Sequence, residues 1–252
     1  MKRFFSSAVR LALLGMLAQA NVADAAEIKV LSSTGLKAVM EELVPKFERT
    51  TKHKVVIEFG LAAVLKQRIE AGEPFDLAVL TPAFFDELIE QGRIVPNTRA
   101  VIARSGLGIA IRSGARKPDI STVEAFKRAL LDAKSIAYAK EGAAGVAFTA
   151  LIPRLGIGED LKSKTKLTVT GEQVGEAVAH GEAEFGVLPV SEILPARGAE
   201  LLGTFPTDVQ TYIVMTAGVS ASARQNDAAR ELVAFLMAPA SLPVIKAKGM
   251  ER

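Results

Sequence analysis

Apolar positions along the chain repeat with a period near two in some stretches and near 3.6 in others, and the alternation predicts a string of strand and helix units. Glu27 to Ser32 (EIKVLS) predicts a strand. Leu36 to Phe47 then places Leu36, Val39, Met40, Leu43 and Phe47 on one face of a helix. His53 to Phe59 predicts a second strand, followed by a helix from Ala62 to Ala71 that stops at Gly72, since glycine accepts the positive φ of a helix end. Asp76 to Leu80 and Pro82 to Gln91 repeat the unit, with Pro82 in the first turn, where its missing N–H does no harm. Strand-helix units joined by short turns imply a parallel sheet covered by helices.

Val101 to Arg112 (VIARSGLGIAIR) is long, apolar and broken by Gly106 and Gly108, which suits a strand or strand pair leaving this first lobe. A second series follows: helix Val123 to Leu131, strand Ser135 to Tyr138, helix Gly145 to Leu155, strand Leu167 to Thr170, helix Glu172 to His180 and strand Glu184 to Pro189. Tyr212 to Val219 reads as a strand returning to the first lobe, completed by helices Asp227 to Met237 and Ala240 to Lys248. The expectation is an α/β protein of two lobes, each a mostly parallel sheet flanked by helices. Lobe I takes residues 26–102 and 213–252, and lobe II residues 103–212. No internal repeat relates them.

Composition narrows the function classes. With 252 residues, 49% hydrophobic and 23% charged, the chain can bury a sizeable core, which disfavours disorder, collagen and coiled coil. It has no cysteine, so disulfides, thiolate metal sites and cysteine nucleophiles are excluded, and only His53 and His180 offer imidazole. Neither a metal site nor a cofactor is expected. The formal charge is +3, yet residues 1–25 contain Lys2, Arg3, Arg10 and Asp24, so 3 − 2 leaves +1 for the remainder. Those residues, with the apolar run Leu11 to Ala18 and the small-x-small site Ala23-Asp24-Ala25, read as a cleaved signal peptide. The run is shorter than the ~20 apolar residues of a spanning helix. A soluble, monomeric, periplasmic protein is expected, without membrane insertion. The near-neutral remainder lacks the basic blocks that follow a phosphate backbone, which argues against a nucleic-acid partner.

The informative positions are the strand-to-helix junctions, because open α/β sheets bind ligands outside the carboxyl ends of their strands. They read Ser32-Ser33-Thr34-Gly35, Gly60-Leu61-Ala62-Ala63, Thr81-Pro82, Gly142-Ala143-Ala144-Gly145, Gly171-Glu172-Gln173 and Pro189-Val190-Ser191. Small residues let a ligand approach the backbone, and helix N-termini favour an anion without a charged side chain. The plainer alternative is that Ser33, Thr34 and Ser191 are ordinary N-caps and that the glycines serve turns.

In the order of its motifs, VLSSTGLKAVMEELVPKFE, FGLAAVLKQRIEAGEPFDLAVLTP, GAAGVAF and GVLPVSEI, the chain from residue 26 onward resembles periplasmic solute-binding proteins of the molybdate-binding type. The resemblance implies a type II two-lobed fold, a ligand cleft between the lobes, and delivery of cargo to an ABC permease. In that family two serine hydroxyls and a tyrosine help to hold the oxyanion, and the matching positions here are Gly35, Ala62 and Pro189. The backbone positions matching Ala144 and Val174 remain. Losing charge-assisted bonds of ~1.5 to 3 kcal/mol each argues against molybdate and for a larger anionic or carboxylated molecule. The candidate ligand-binding residues are Ser33, Thr34, Gly35, Leu61, Ala62, Thr81, Ala144, Gly145, Val174, Pro189 and Ser191.

The same broad group includes periplasmic aconitate isomerases, which interconvert trans- and cis-aconitate. Catalysis of that kind needs a base, a proton donor and partners for several carboxylates, for which Lys37, Lys66, Arg68, Lys140 and Glu141 are available and none stands out. His53 lies in a polar turn and is expected to be exposed. His180 precedes Gly181, as a helix-end residue does. Neither G-x-S-x-G nor G-x-x-x-x-G-K-[ST] occurs, so hydrolase and nucleotidase readings have no motif behind them.

Overall fold

A computed structural model describes residues 25–252, so the expected signal peptide lies almost entirely outside the described residues. The elements in chain order are β1 (Glu27–Ser33), α1 (Lys37–Thr51), β2 (Lys54–Gly60), α2 (Ala62–Glu70), β3 (Leu77–Leu80), α3 (Pro82–Glu90), β4 (Ala100–Arg112) and α4 (Val123–Asp132). β5 (Ile136–Ala139), α5 (Ala143–Leu155), α6 (Gly158–Lys162), β6 (Thr165–Thr168), α7 (Gly171–Ala179), β7 (Phe185–Pro189) and α8 (Val190–Ile193) follow. β8 (Ala199–Thr204), β9 (Tyr212–Val219), α9 (Asn226–Met237) and α10 (Leu242–Ala247) close the chain.

The strands lie in the order β2-β1-β3-β9-β4-β7-β5-β6, with β8 also on β4. β1 pairs in parallel with β2 and β3, and β5 with β6 and β7. β4 and β9 run antiparallel to their neighbours. Every residue of β3 (LAVL) is buried, as expected of a strand covered on both faces. α1 packs Val39, Met40, Leu43, Val44 and Phe47 inward. Gly72, just after α2, has φ +90°, which only glycine adopts at little cost.

One strand joins the two lobes. Ala100 to Gly106 of β4 pair with β9, whereas Leu107 to Arg112 pair with β7 and β8. The glycines at 106 and 108 therefore sit within one continuous strand, at the handover between sheets. There the Gln210 carboxamide clasps the strand beside its backbone partners, accepting from the Leu107 N–H at 2.9 Å and donating to the Leu107 carbonyl at 3.1 Å. Ser105 pins the same region, accepting from the Ser191 N–H and donating to the Gly249 carbonyl, each at 3.1 Å.

Some expectations needed correction. The strand expected at Leu167 to Thr170 is Thr165–Thr168, because Thr170 leaves the sheet to cap α7 in a reciprocal box with Gln173. β8 and the short helices α6 and α8 carry too few periodic positions to be legible, and their form comes from packing. His53 is buried rather than exposed: its Nδ1 accepts from the Ala26 N–H at 3.0 Å and its Nε2 lies 3.1 Å from Glu231. Among the described residues no single helix is long and apolar enough to cross a membrane.

Candidate functional site

All six strand-to-helix junctions contribute to one cavity of about 240 Å3 between the lobes. Ser33, Thr34, Leu61, Ala62, Ala63 and Thr81 come from the first lobe; residues 142–145, Gly171 and Pro189 come from the second. Leu61, Phe84, Ile213 and Met215 supply apolar wall. The convergence follows from topology, since each junction lies at the carboxyl end of a strand in one of two sheets that share β4.

The cavity's helices are not capped in the ordinary way. Leu61, Thr81 and Gly142 precede α2, α3 and α5, and none makes a side-chain cap bond. The first-turn N–H groups of α2 and α5, whose residues line the cavity, therefore carry no side-chain cap, α3 begins with Pro82 and has one N–H fewer, and the positive helix ends favour negative charge there. α7 differs, because Thr170 caps the Gln173 N–H and Gln173 in turn accepts from the Thr170 N–H.

Three sequence candidates fall outside this cavity. A Cβ on Gly35 would come within 2.2 Å of Met215 Cε, so Met215 fills the space there. Val174 is fully buried in the second-lobe core, and its N–H is committed to the Thr170 carbonyl. Ser191 turns its hydroxyl to the Gly35 carbonyl at 3.0 Å and faces a second cavity. Ser33, Thr34, Leu61, Ala62, Thr81, Ala144, Gly145 and Pro189 all line the first. Gly145 is required for close packing, since a Cβ would lie 1.9 Å from the Ala139 carbonyl oxygen.

No lysine or arginine lines the first cavity among the described residues. Lys66 is engaged by Glu70 and Glu87, and Arg68 by Glu58 and Glu73. Lys37 reaches across the lobes to Glu172 at 2.6 Å. Lys140 is not in the lining, whereas Glu141 stands exposed at the rim. Nor do three or more His, Cys, Asp or Glu side chains converge to hold a metal among these residues.

The residue that sequence reading missed is Glu192. Thr34 Oγ1 donates to its Oε1 at 3.3 Å across the lobe boundary, and its Oε2 occupies the place where a Gly171 Cβ would sit, 2.0 Å away. Desolvation lifts the carboxyl to about 7; the Thr34 hydroxyl opposes the rise and the nearby Glu172 charge adds to it. The signal available in the sequence was only the acid following Pro189-Val190-Ser191, a pattern indistinguishable from a first-turn helix acid. Glu192, Thr34 and Gly171 also line the second cavity, of about 420 Å3, so Glu192 stands between the two.

Comparison with known proteins places this geometry. Residues 28–251 match the family described as bacterial extracellular solute-binding protein. The chain is 28% identical over 230 residues to the aconitate isomerase of a Pseudomonas species, covering 89% of this chain and 87% of that one. It is 30% identical over 240 residues to the molybdate-binding protein ModA of Azotobacter vinelandii, covering 93% of each. The solved periplasmic molybdate-binding protein of Azotobacter vinelandii superposes with a TM-score of 0.76 at 22% identity, over 89% of this chain and 99% of that chain.

Proposed function

The chain belongs to the bacterial extracellular solute-binding proteins, and from that premise we propose that it works in the periplasm, closing its lobes as a monomer on a small organic carboxylate rather than on a tetrahedral oxyanion. Delivery to an ABC permease is the role this family suggests. The proposed lobes are residues 26–102 with 213–252 and residues 103–212, swinging about the handover in β4.

One observation carries the reading: a carboxyl group, Glu192, stands in the wall of a cavity that, among the described residues, is lined by no lysine or arginine. A compact dianion would meet that carboxyl at short range, and like charges in a poorly hydrated site repel strongly. An organic acid distributes its features better. Its carboxylates suit the uncapped N–H groups of α2 and α5 and the hydroxyls of Ser33 and Thr81, while its carbons suit Leu61, Phe84, Ile213 and Met215. The missing hydroxyls at Gly35, Ala62 and Pro189 point the same way.

A second reading is favoured by the same carboxyl. A group that titrates near neutrality inside a ligand cleft is suited to moving protons, and the aconitate isomerase relative acts on an organic acid. Isomerisation of an aconitate-like acid is therefore the enzymatic form of the proposal.

A thermal-shift series with molybdate, sulfate and a panel of di- and tricarboxylic acids tests the binding reading. Stabilisation by organic acids and not by the oxyanions is expected. Tight, saturable binding of molybdate with no response to any carboxylic acid would overturn it.

A further inference from the structure

We propose that Glu192 is the catalytic acid-base group of this cleft, removing a proton from the methylene of a bound unsaturated di- or tricarboxylate and returning it at the far carbon of the double bond. The inference rests on the organic-acid reading above and names both the reacting residue and the substrate class. Its geometry is specific. The carboxyl is held from one side by the Thr34 hydroxyl and seated from the other against Gly171, where any side chain would displace it. Thr34 follows β1 and Glu192 lies on α8, so the contact that positions the carboxyl spans the cleft.

Among the described residues no other side chain in the cavity wall has the chemistry. Thr34 bonds to Glu192 itself, the Ser33 and Thr81 hydroxyls have no hydrogen-bonded base among the described residues, and Glu141 is exposed. Tyr138 packs edge-on against Phe148 and is absent from the lining. Both histidines lie elsewhere, His53 against Glu231 and His180 at the end of α7.

The step balances without a co-reactant. The Glu192 carboxylate takes a proton from the carbon between a carboxylate and the double bond, and the C–H electron pair forms a new carbon–carbon double bond. The old π pair then takes the proton back from Glu192 at the far carbon. Charge that spreads into the substrate carboxylate during the transfer is met by the uncapped amides of α2 and α5. The bond moves, and nothing is oxidised or reduced.

The surrounding charges are compatible with both protonation states. Glu172 on α7 raises the proton affinity of Glu192, while Lys37 on α1 holds Glu172 in an ion pair. Glu41, Glu176 and Arg197 face Glu192 only across the second cavity, and Glu141 only from the rim. That second cavity gives the group a polar side through which to exchange its proton with solvent. A carboxyl lifted to about 7 is matched to such work, because acid-base catalysis is most effective when the group titrates near the working pH.

The test uses trans-aconitate as probe, in D2O, followed by proton NMR. The wild-type protein is expected to form cis-aconitate with deuterium at the transposed carbon, and kcat/KM should rise with pH and level off above about 7, as the free enzyme's base ionises. Glu192→Gln keeps the acceptor for Thr34 and loses the base, so the rate should fall by about 10²- to 10⁴-fold while trans-aconitate still raises the melting temperature. A Glu192→Gln protein that isomerises within a few-fold of wild type overturns the assignment. So does a flat wild-type profile between about pH 5.5 and 8.5, a readout that stands even if the variant does not fold. Stabilisation by trans-aconitate with neither isomerisation nor deuterium uptake overturns Glu192 as catalyst and leaves the organic-acid reading intact. Absence of stabilisation by any carboxylic acid overturns that reading itself.

Discussion

The hydroxyl of Thr34 and the carboxyl of Glu192 meet at 3.3 Å from opposite sides of the cleft, which makes a titrating group part of the contact between lobes. Desolvation holds the folded carboxyl near 7, against 4.5 in an unfolded chain. A carboxylic acid whose proton affinity is raised by folding is most at ease protonated, so the folded state loses stability as pH rises from 4.5 through 7. Glu192→Gln carries no such penalty. Its melting temperature should equal that of wild type near pH 4.5 and exceed it above pH 7, by the equivalent of about 3 kcal/mol. Equal stability at pH 8 would show that water reaches the carboxyl freely.

Gly35→Ala tests how Met215 shapes the cavity. The new methyl would lie 2.2 Å from Met215 Cε, the movable end of a flexible side chain, and Met215 itself lines the ligand space. The fold should survive with a loss of about 1 to 2 kcal/mol in denaturant melts. Ligand affinity should fall more than stability does, because the displaced methionine enters the cavity. Unchanged affinity in a calorimetric titration would mean that Met215 escapes elsewhere.

Glu73 anchors an ion cluster away from the cleft, bonded to Arg68 and Lys29. The Arg68 guanidinium, with Lys29 helping, holds its carboxyl down at about 2. A lowered carboxylate pKa stabilises the fold above the unfolded value of 4.5 and loses that contribution as pH falls toward 2. Glu73→Gln should be less stable than wild type at neutral pH by about 1 kcal/mol, given the partial solvent screening of the cluster. The difference should close on acidification, as followed by thermal melts across that range.

Thr216 carries a fully buried hydroxyl with no hydrogen-bond partner among the described residues. Thr216→Val keeps the shape and removes the orphaned polar atom, so stability should stay level or rise by about 1 kcal/mol. A clear loss in urea titration would reveal a partner that the hydroxyl acquires in solution.

Local physics made much of this protein legible from residue order. Apolar spacing along Val39 to Phe47, the run at Leu77 to Leu80 and the glycine after α2 specify the elements, because they act over one turn or one strand; β3 and the end of α2 fall within a residue of expectation, whereas α1 runs four residues past Phe47 to Thr51. Junction composition likewise marked the small and hydroxylated turns that line the cavity, since a strand's carboxyl end is a property of its own unit. Tertiary structure alone decided what meets what. Whether Gly35 opens space or yields it to Met215, whether Ser191 faces the ligand or the Gly35 carbonyl, and whether His53 is wet or bonded to Ala26 and Glu231 all depend on partners distant in sequence. Glu192 is the sharpest case. Along the chain it is one more acid at the start of a short helix, and its burial against Gly171 and Thr34 exists only because β4 carries one sheet into the other and folds α8 back onto the first lobe.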